Sequence, residues 1–238
     1  MRAVLDAVTA VGFDLDYTLW DQDAFFASFF AAAAGEYGRR LGCGRRRFAQ
    51  VCAGALRRLT PAHPALFDQA LHQMGAWDPR LVAELVERFR GHRPPAQPYP
   101  GTERTLRLLR EAGFRLFLVS DGHVPSQRHK VAALGLSHRF DHLVFTGDLP
   151  EHRRKPSPDP FLLACARLEV APERCLYVGD HPARDFPGPK SLGMLTAGVP
   201  TGPFAASAAP PELRPDFQLA ALEDLPGLLT GDLAGSTP

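Results

Sequence analysis

Short, continuously apolar runs alternate with segments of helical spacing along most of this 238-residue chain. The first run, Val11-Gly12-Phe13, reads as a buried strand and stops at Asp14-Leu15-Asp16-Tyr17-Thr18. From about Asp21 to Arg93 the period changes to that of helices. Phe25, Phe26, Phe29, Phe30 and Ala33 form one apolar face, and Leu81, Val82, Leu85, Val86 and Phe89 form another. Pro61, Pro64 and Pro79 break this segment into three or four helices. The phenylalanine stripe fits the core of a small helical bundle, with the lining of a substrate pocket as the other reading. Pro94-Pro95-Ala96-Gln97-Pro98-Tyr99-Pro100-Gly101 closes the segment as a stiff linker.

After the linker, alternation becomes regular. Thr102 to Ala112 predicts a helix stopped by Gly113, and Arg115 to Val119 a strand ending in Ser120-Asp121-Gly122. Ser126 to Leu134 follows as a helix, Leu143-Val144-Phe145 as a strand, and Asp159 to Leu168 as a helix. Cys175 to Val178 is a strand ending in Gly179-Asp180, with further short strands at Met194 to Ala197 and Phe217 to Leu219. Repeated strand–helix units predict an α/β fold. Its core is a three-layer, Rossmann-like parallel sheet with right-handed crossovers, and a helical bundle is inserted after the first strand. The expected boundaries are residues 1–19 and 97–238 for the α/β core and 20–96 for the helical insert. Gly231 to Pro238 reads as a frayed tail.

Composition narrows the classes of function. A net charge of +1 leaves no electrostatic footprint for nucleic acid or an acidic membrane surface, and 45% hydrophobic with 22% charged residues is ordinary for a globular chain. No apolar stretch approaches the roughly 20 residues that cross a bilayer, and Met1 to Asp6 lacks a signal-peptide pattern. Cys43, Cys52, Cys165 and Cys175 make no C-x-x-C pair, which suits idle thiols in a reducing compartment and a cytoplasmic location. Among many arginines there are only three lysines, Lys130, Lys155 and Lys190. Each therefore invites a question about its role.

Three strands end in polar residues, at Asp14 and Asp16, at Ser120 and at Asp180. In a parallel sheet those ends share one edge, the crevice where open α/β sheets bind ligands. Two acids at i and i+2 of a strand end point the same way, so both are expected to look into that crevice. Asp185 follows Asp180 closely, and Lys155 precedes the helix leading to that strand. Carboxylates with one hydroxyl and one ammonium suit Mg²⁺ and phosphate. Ser120 or Asp121 as a helix N-cap is the competing reading there.

Asp14-Leu15-Asp16-Tyr17-Thr18, Ser120-Asp121-Gly122, Lys155-Pro156, and Gly179-Asp180 with Asp185 occur in order over nearly the whole chain. In this the chain resembles the haloacid dehalogenase-like hydrolase superfamily, specifically its phosphatase branch with a helical cap after the first motif. The resemblance implies that Asp14 is the nucleophile forming an aspartyl-phosphate. It implies that Asp16 is the general acid and then the general base. Ser120, with the neighbouring backbone of Asp121 and Gly122, would bind phosphate oxygens, and Lys155 would neutralise charge. Asp14, the Asp16 carbonyl and Asp180 would hold Mg²⁺. Asp185 would be an outer partner orienting a ligand or water. Trp20, Asp21 and Asp23 fall where the family has a mobile flap, while His123 and His181 read as bystanders.

The expected activity is Mg²⁺-dependent hydrolysis of a small phosphorylated metabolite by a monomer or homodimer, without nucleic acid or membrane partners. A sugar-phosphate phosphomutase uses the same four motifs. A 2-haloacid dehalogenase would need no acid at Asp16, and a non-catalytic binding protein would need neither acid of the first motif.

Overall fold

The computed structural model describes residues 2–59, 65–205 and 209–231. Pro61, Pro64 and residues 232–238 of the expected tail lie outside them. Two compact units emerge, one of residues 1–21 with 97–238 and the other of 22–96.

The first unit is built on six parallel strands in the order β3-β2-β1-β4-β5-β6. They are β1 (Ala10–Phe13), β2 (Arg115–Ser120), β3 (His142–Phe145), β4 (Cys175–Gly179), β5 (Leu195–Gly198) and β6 (Phe217–Gln218). Val11, Phe13, Phe117, Leu118, Leu176 and Val178 are fully buried, as strands covered on both faces must be. Each such side chain contributes about 1.5–3 kcal/mol by leaving water. The helix Asp159–Leu168 packs on β2 and β3, joining Phe161, Ala164 and Leu168 to Phe117 and Tyr177 in one core. This is the α/β, Rossmann-like parallel sheet that the alternation of periods predicts.

Register decides where chemistry collects. Phe13, the last residue of β1, lies level with Leu118 of β2 and Val178 of β4, while β2 runs on to Ser120 and β4 to Gly179. Asp14, Ser120 and Asp180 consequently share the carboxyl edge of the sheet. The Asp14 N–H still donates to the Val178 carbonyl at 2.9 Å, and the chain turns immediately afterwards.

The second unit contains helices Gln22–Arg40, Gly44–Arg58, Leu66–Gln73 and Pro79–Gly91. Asp78 caps the last of these by accepting from the Arg80 N–H at 2.7 Å, with Pro79 in the first turn, where its missing N–H costs nothing. Phe26, Phe29, Phe30, Tyr37, Phe48, Leu71 and Leu85 are buried together. Phe89 stacks on Phe26 and meets Phe29 edge-on, each at 5.2 Å between ring centroids. The phenylalanine stripe is therefore bundle core.

Among the described residues no helix is long and apolar enough to cross a membrane. All four cysteines are free thiols.

Candidate active site

Two clusters, each organised by a buried lysine, occupy the carboxyl edge of the sheet. In the first, Lys155 Nζ donates to Asp14 Oδ1 at 2.6 Å and to Asp185 Oδ1 at 2.9 Å. Asp185 Oδ2 accepts the His181 backbone N–H at 2.9 Å, which fixes its carboxyl across the turn after β4. Gly179 is required beneath it, because a Cβ there would lie 2.5 Å from Asp185 Oδ2. Gly202, at φ +71°, closes over the other side, where a Cβ would sit 2.6 Å from the Tyr17 Cβ and 3.0 Å from Asp180 Oδ2.

Asp14, Asp180 and Asp185 are all buried and each offers an oxygen within 4.8 Å of the others. Three carboxylates thus face one ammonium. Burial pushes the Asp14 carboxyl up to about 7, with the Lys155 charge opposing and Asp185 and Asp16 reinforcing the rise. Burial likewise raises Asp180 to about 9, helped by Asp185 and Asp14. For Lys155, burial acts to lower the pKa, but attraction to Asp14 and Asp185 outweighs it and the ammonium is held well above its ordinary value. A surplus of hard oxygen donors over positive charge fits a small divalent cation such as Mg²⁺.

The second cluster surrounds Asp16. Its Oδ1 accepts from Trp20 Nε1 and from Lys130 Nζ, both at 2.8 Å, and its Oδ2 accepts from Lys130 Nζ and Gln127 Nε2, both at 2.9 Å. Gln127 Nε2 also reaches Ser120 Oγ at 2.7 Å. Asp14 and Asp16 therefore take different partners. The i, i+2 rule that aligns them applies only within a strand, and β1 ends at Phe13. Beyond it, Leu19 N–H bonds back to the Leu15 carbonyl at 3.0 Å and Tyr17 sits at φ +63°, which turns the Asp16 side chain toward Lys130.

The remaining expected residues fall nearby. The Asp121 carboxylate is held by the Thr146 hydroxyl and the Arg184 guanidinium. The side chain of Asp121 is thus engaged, and its backbone, with that of Gly122 at φ +127°, continues the sheet edge beyond Ser120. Asp185, expected to act from outside the metal ligands, stands with its oxygens inside the acid cluster. The Asp16 carboxylate, by contrast, stands in the second cluster. His181 packs on the Phe204 ring at 3.9 Å between centroids, and burial lowers its pKa. His123 bonds to Ser126 Oγ at 3.0 Å.

Gln127 is not singled out by the sequence, and Lys130 only by its scarcity, without a role. Their signal was weak but present: a scarce lysine, and a glutamine three residues before it on the same helical face.

Residues 8–193 match the family described as haloacid dehalogenase-like hydrolase. The chain belongs to that family. Over 144 residues this hydrolase is 36% identical to a glyceraldehyde 3-phosphate phosphatase of Methanopyrus kandleri, a stretch covering 60% of this chain. That match spans 61% of the relative's own length, less than two thirds of it. Over 196 residues it is 31% identical to an N-acetylmuramic acid 6-phosphate phosphatase of Pseudomonas aeruginosa, covering 81% of this chain and 82% of the relative. Among solved structures, a phosphatase of the family from Thermococcus onnurineus superposes with a TM-score of 0.66 at 26% identity, covering 94% of this chain and 99% of that one. A 2-haloacid dehalogenase from Pseudomonas syringae reaches a TM-score of 0.63, also at 26% identity, with the same coverage of each chain. Both chemistries thus occur on this fold, and side chains have to separate them.

Proposed function

We propose that this hydrolase is a Mg²⁺-dependent phosphatase of small phosphorylated metabolites, acting through an aspartyl-phosphate. The observation that carries the reading is the Lys155 ammonium bonded to both Asp14 and Asp185, with an oxygen of Asp180 within 4.8 Å of theirs. The phosphatase names of the two sequence relatives support it.

Asp14 is the nucleophile. Its oxygen forms a bond to phosphorus as the bond to the leaving alcohol breaks, and Asp16 gives that alcohol its proton. Asp16 then takes a proton from water as the water oxygen bonds phosphorus, releasing inorganic phosphate and restoring Asp14. Ser120 and the backbone after it hold the phosphoryl oxygens, while Lys155 offsets their charge beside Asp14. Asp14, Asp180 and the Asp16 carbonyl would hold Mg²⁺, with Asp185 beside them. Bound there, the cation supplies charge that lets a carboxylate approach a phosphate.

The dehalogenase reading draws on the Pseudomonas syringae likeness. An acid–base residue serves no purpose in displacing a halide. The four hydrogen bonds gathered on Asp16 favour the phosphatase.

The test is release of inorganic phosphate from p-nitrophenyl phosphate. Turnover is expected with Mg²⁺, to vanish on chelation, and to fall by about 10³-fold or more in Asp14→Asn, as for loss of a nucleophile. Undiminished turnover in either condition would overturn the assignment.

A further inference from the structure

Gln127 and Lys130 project from one face of the helix Val124–Ala133, and both are buried, at 3% and 6% exposure. A buried ammonium needs a counter-charge, and Lys130 finds it in Asp16. A carboxylate has about four lone-pair positions. Trp20, Gln127 and Lys130, the last spanning both oxygens, supply four hydrogen bonds to them. For Asp16 to act as the acid, one of its oxygens has to carry a proton and face the leaving-group oxygen, so one donor has to yield that position. With Lys130 holding both oxygens, the carboxyl keeps its plane while that happens.

Gln127 adds a second link. An amide nitrogen donates and does not accept, so Ser120 Oγ is the acceptor in its 2.7 Å contact with Gln127 Nε2. The Ser120 hydroxyl hydrogen is then left to point elsewhere. A flipped amide would set its oxygen against the Asp16 carboxylate, so the nitrogen is the end that belongs there.

We propose that Lys130 and Gln127 are positioning residues for proton transfer. Lys130 orients the Asp16 carboxyl, and Gln127 couples that orientation to the Ser120 hydroxyl. The proton donor and the phosphate-binding hydroxyl are set as one unit. This rests on the phosphatase reading, in which Asp16 is the acid and Ser120 a phosphate ligand.

The consequence is selective. A nitrophenolate departs without help, whereas an alkoxide needs a proton as it leaves. The experiment compares p-nitrophenyl phosphate with glycerol phosphate on the Mg²⁺-loaded full chain. Lys130→Met is expected to lower kcat/KM, which reads the step that expels the leaving group, by about 10²-fold or more for the alkyl ester and by less than about 10-fold for the aryl ester, while hydrolysis of the aspartyl-phosphate, where Asp16 is the base, slows alike for both. Asp16→Asn should show the same split, and combining the two should add almost nothing, because both remove one function. Lys130→Arg should recover part of the alkyl ester rate.

Equal losses in kcat/KM on both esters in Lys130→Met, or additive losses in the double variant, would reduce Lys130 to a structural ion pair and overturn the proposal. Should Lys130→Met not fold, Gln127→Leu carries the same comparison, with a KM increase on both esters added through Ser120. A Gln127→Leu enzyme with unchanged ester preference would then overturn it. A wild-type chain that hydrolyses neither ester defeats the phosphatase reading itself and this proposal with it, an outcome distinct from a wild type that works while its variants show no split.

Discussion

Each of the two buried lysines at the sheet edge serves carboxylates of the first motif, yet they stand in opposite electrostatic situations. Lys155 faces three acids and bonds two of them, Asp14 and Asp185. Lys130 pairs with Asp16 and holds both of its oxygens. In that pair one ammonium meets one carboxylate. The Lys155 cluster holds a surplus of acid groups, and burial forces Asp14 and Asp180 to retain protons at pH values where free carboxyls have lost them. A balanced pair is suited to orienting a group, and an unbalanced cluster to binding a cation. The contrast arises from placement: Asp14 is the last residue to bond in register with β4, whereas Asp16 comes after the chain has turned.

Removing each lysine should separate the two roles. Lys155→Met leaves the acids without their ammonium, and its expected cost is the largest. It should lower kcat for any ester by about 10²–10³-fold and stability by about 3–5 kcal/mol, the range for stranding a buried partner. Lys130→Met should cost the aryl ester less than about 10-fold in kcat/KM. Phosphate release and thermal melting of the two variants side by side check this, and equal effects of the two substitutions on kcat/KM for p-nitrophenyl phosphate would erase the distinction.

Much of the first cluster was legible because strand ends punctuate a sequence clearly. Phe13 to Asp14, Val119 to Ser120 and Gly179 to Asp180 are each a change from buried apolar run to polar residue, and a parallel sheet gathers such ends at one edge. The helix Asp159–Leu168 agrees at both limits with its expected range. The short helices Arg2–Leu5, Pro182–Asp185 and Pro187–Ser191 went unread, since four or five residues carry too little periodicity and the prolines among them suggest loop. The second cluster was harder for a different reason. Lys130 and Gln127 lie in mid-helix, where a polar residue ordinarily faces water, and only packing against the loop of Asp16 turns them inward. The i, i+3 spacing and the scarcity of lysine are the only local signs of that.

Neutralising one acid of the unbalanced cluster gives the next effect in size. Asp180→Asn should raise the melting temperature of the metal-free chain at about pH 8, because it removes a buried carboxyl that must hold a proton in the folded chain at a pH where the unfolded chain has lost it, with about 2–4 °C expected per kcal/mol relieved in a chain of this length. The same change should abolish stabilisation by Mg²⁺. A counterpart that only weakens the metal-free chain, with Mg²⁺ stabilisation intact, would place the cation elsewhere.

The smallest effect is the most diagnostic of the surplus charge. Asp14 and Asp180 have ordinary values of 3.8 and are raised to about 7 and about 9 in the folded chain. The folded state therefore binds more protons than the unfolded one between those limits, so stability declines as pH rises. The stability contributed by their protonated forms is full below about pH 4 and gone once pH passes about 9. A cation competes for the same oxygens and must displace those protons, so it gains where protons are scarce. The rise in melting temperature on adding Mg²⁺ should thus be greater at about pH 8 than at about pH 6. Asp180→Asn should flatten that difference. Lys130→Met, whose site lies in the balanced cluster, should leave it standing, and a Mg²⁺ effect that is independent of pH in the wild type would mean that the acids are already ionised and the charge surplus is compensated by the protein.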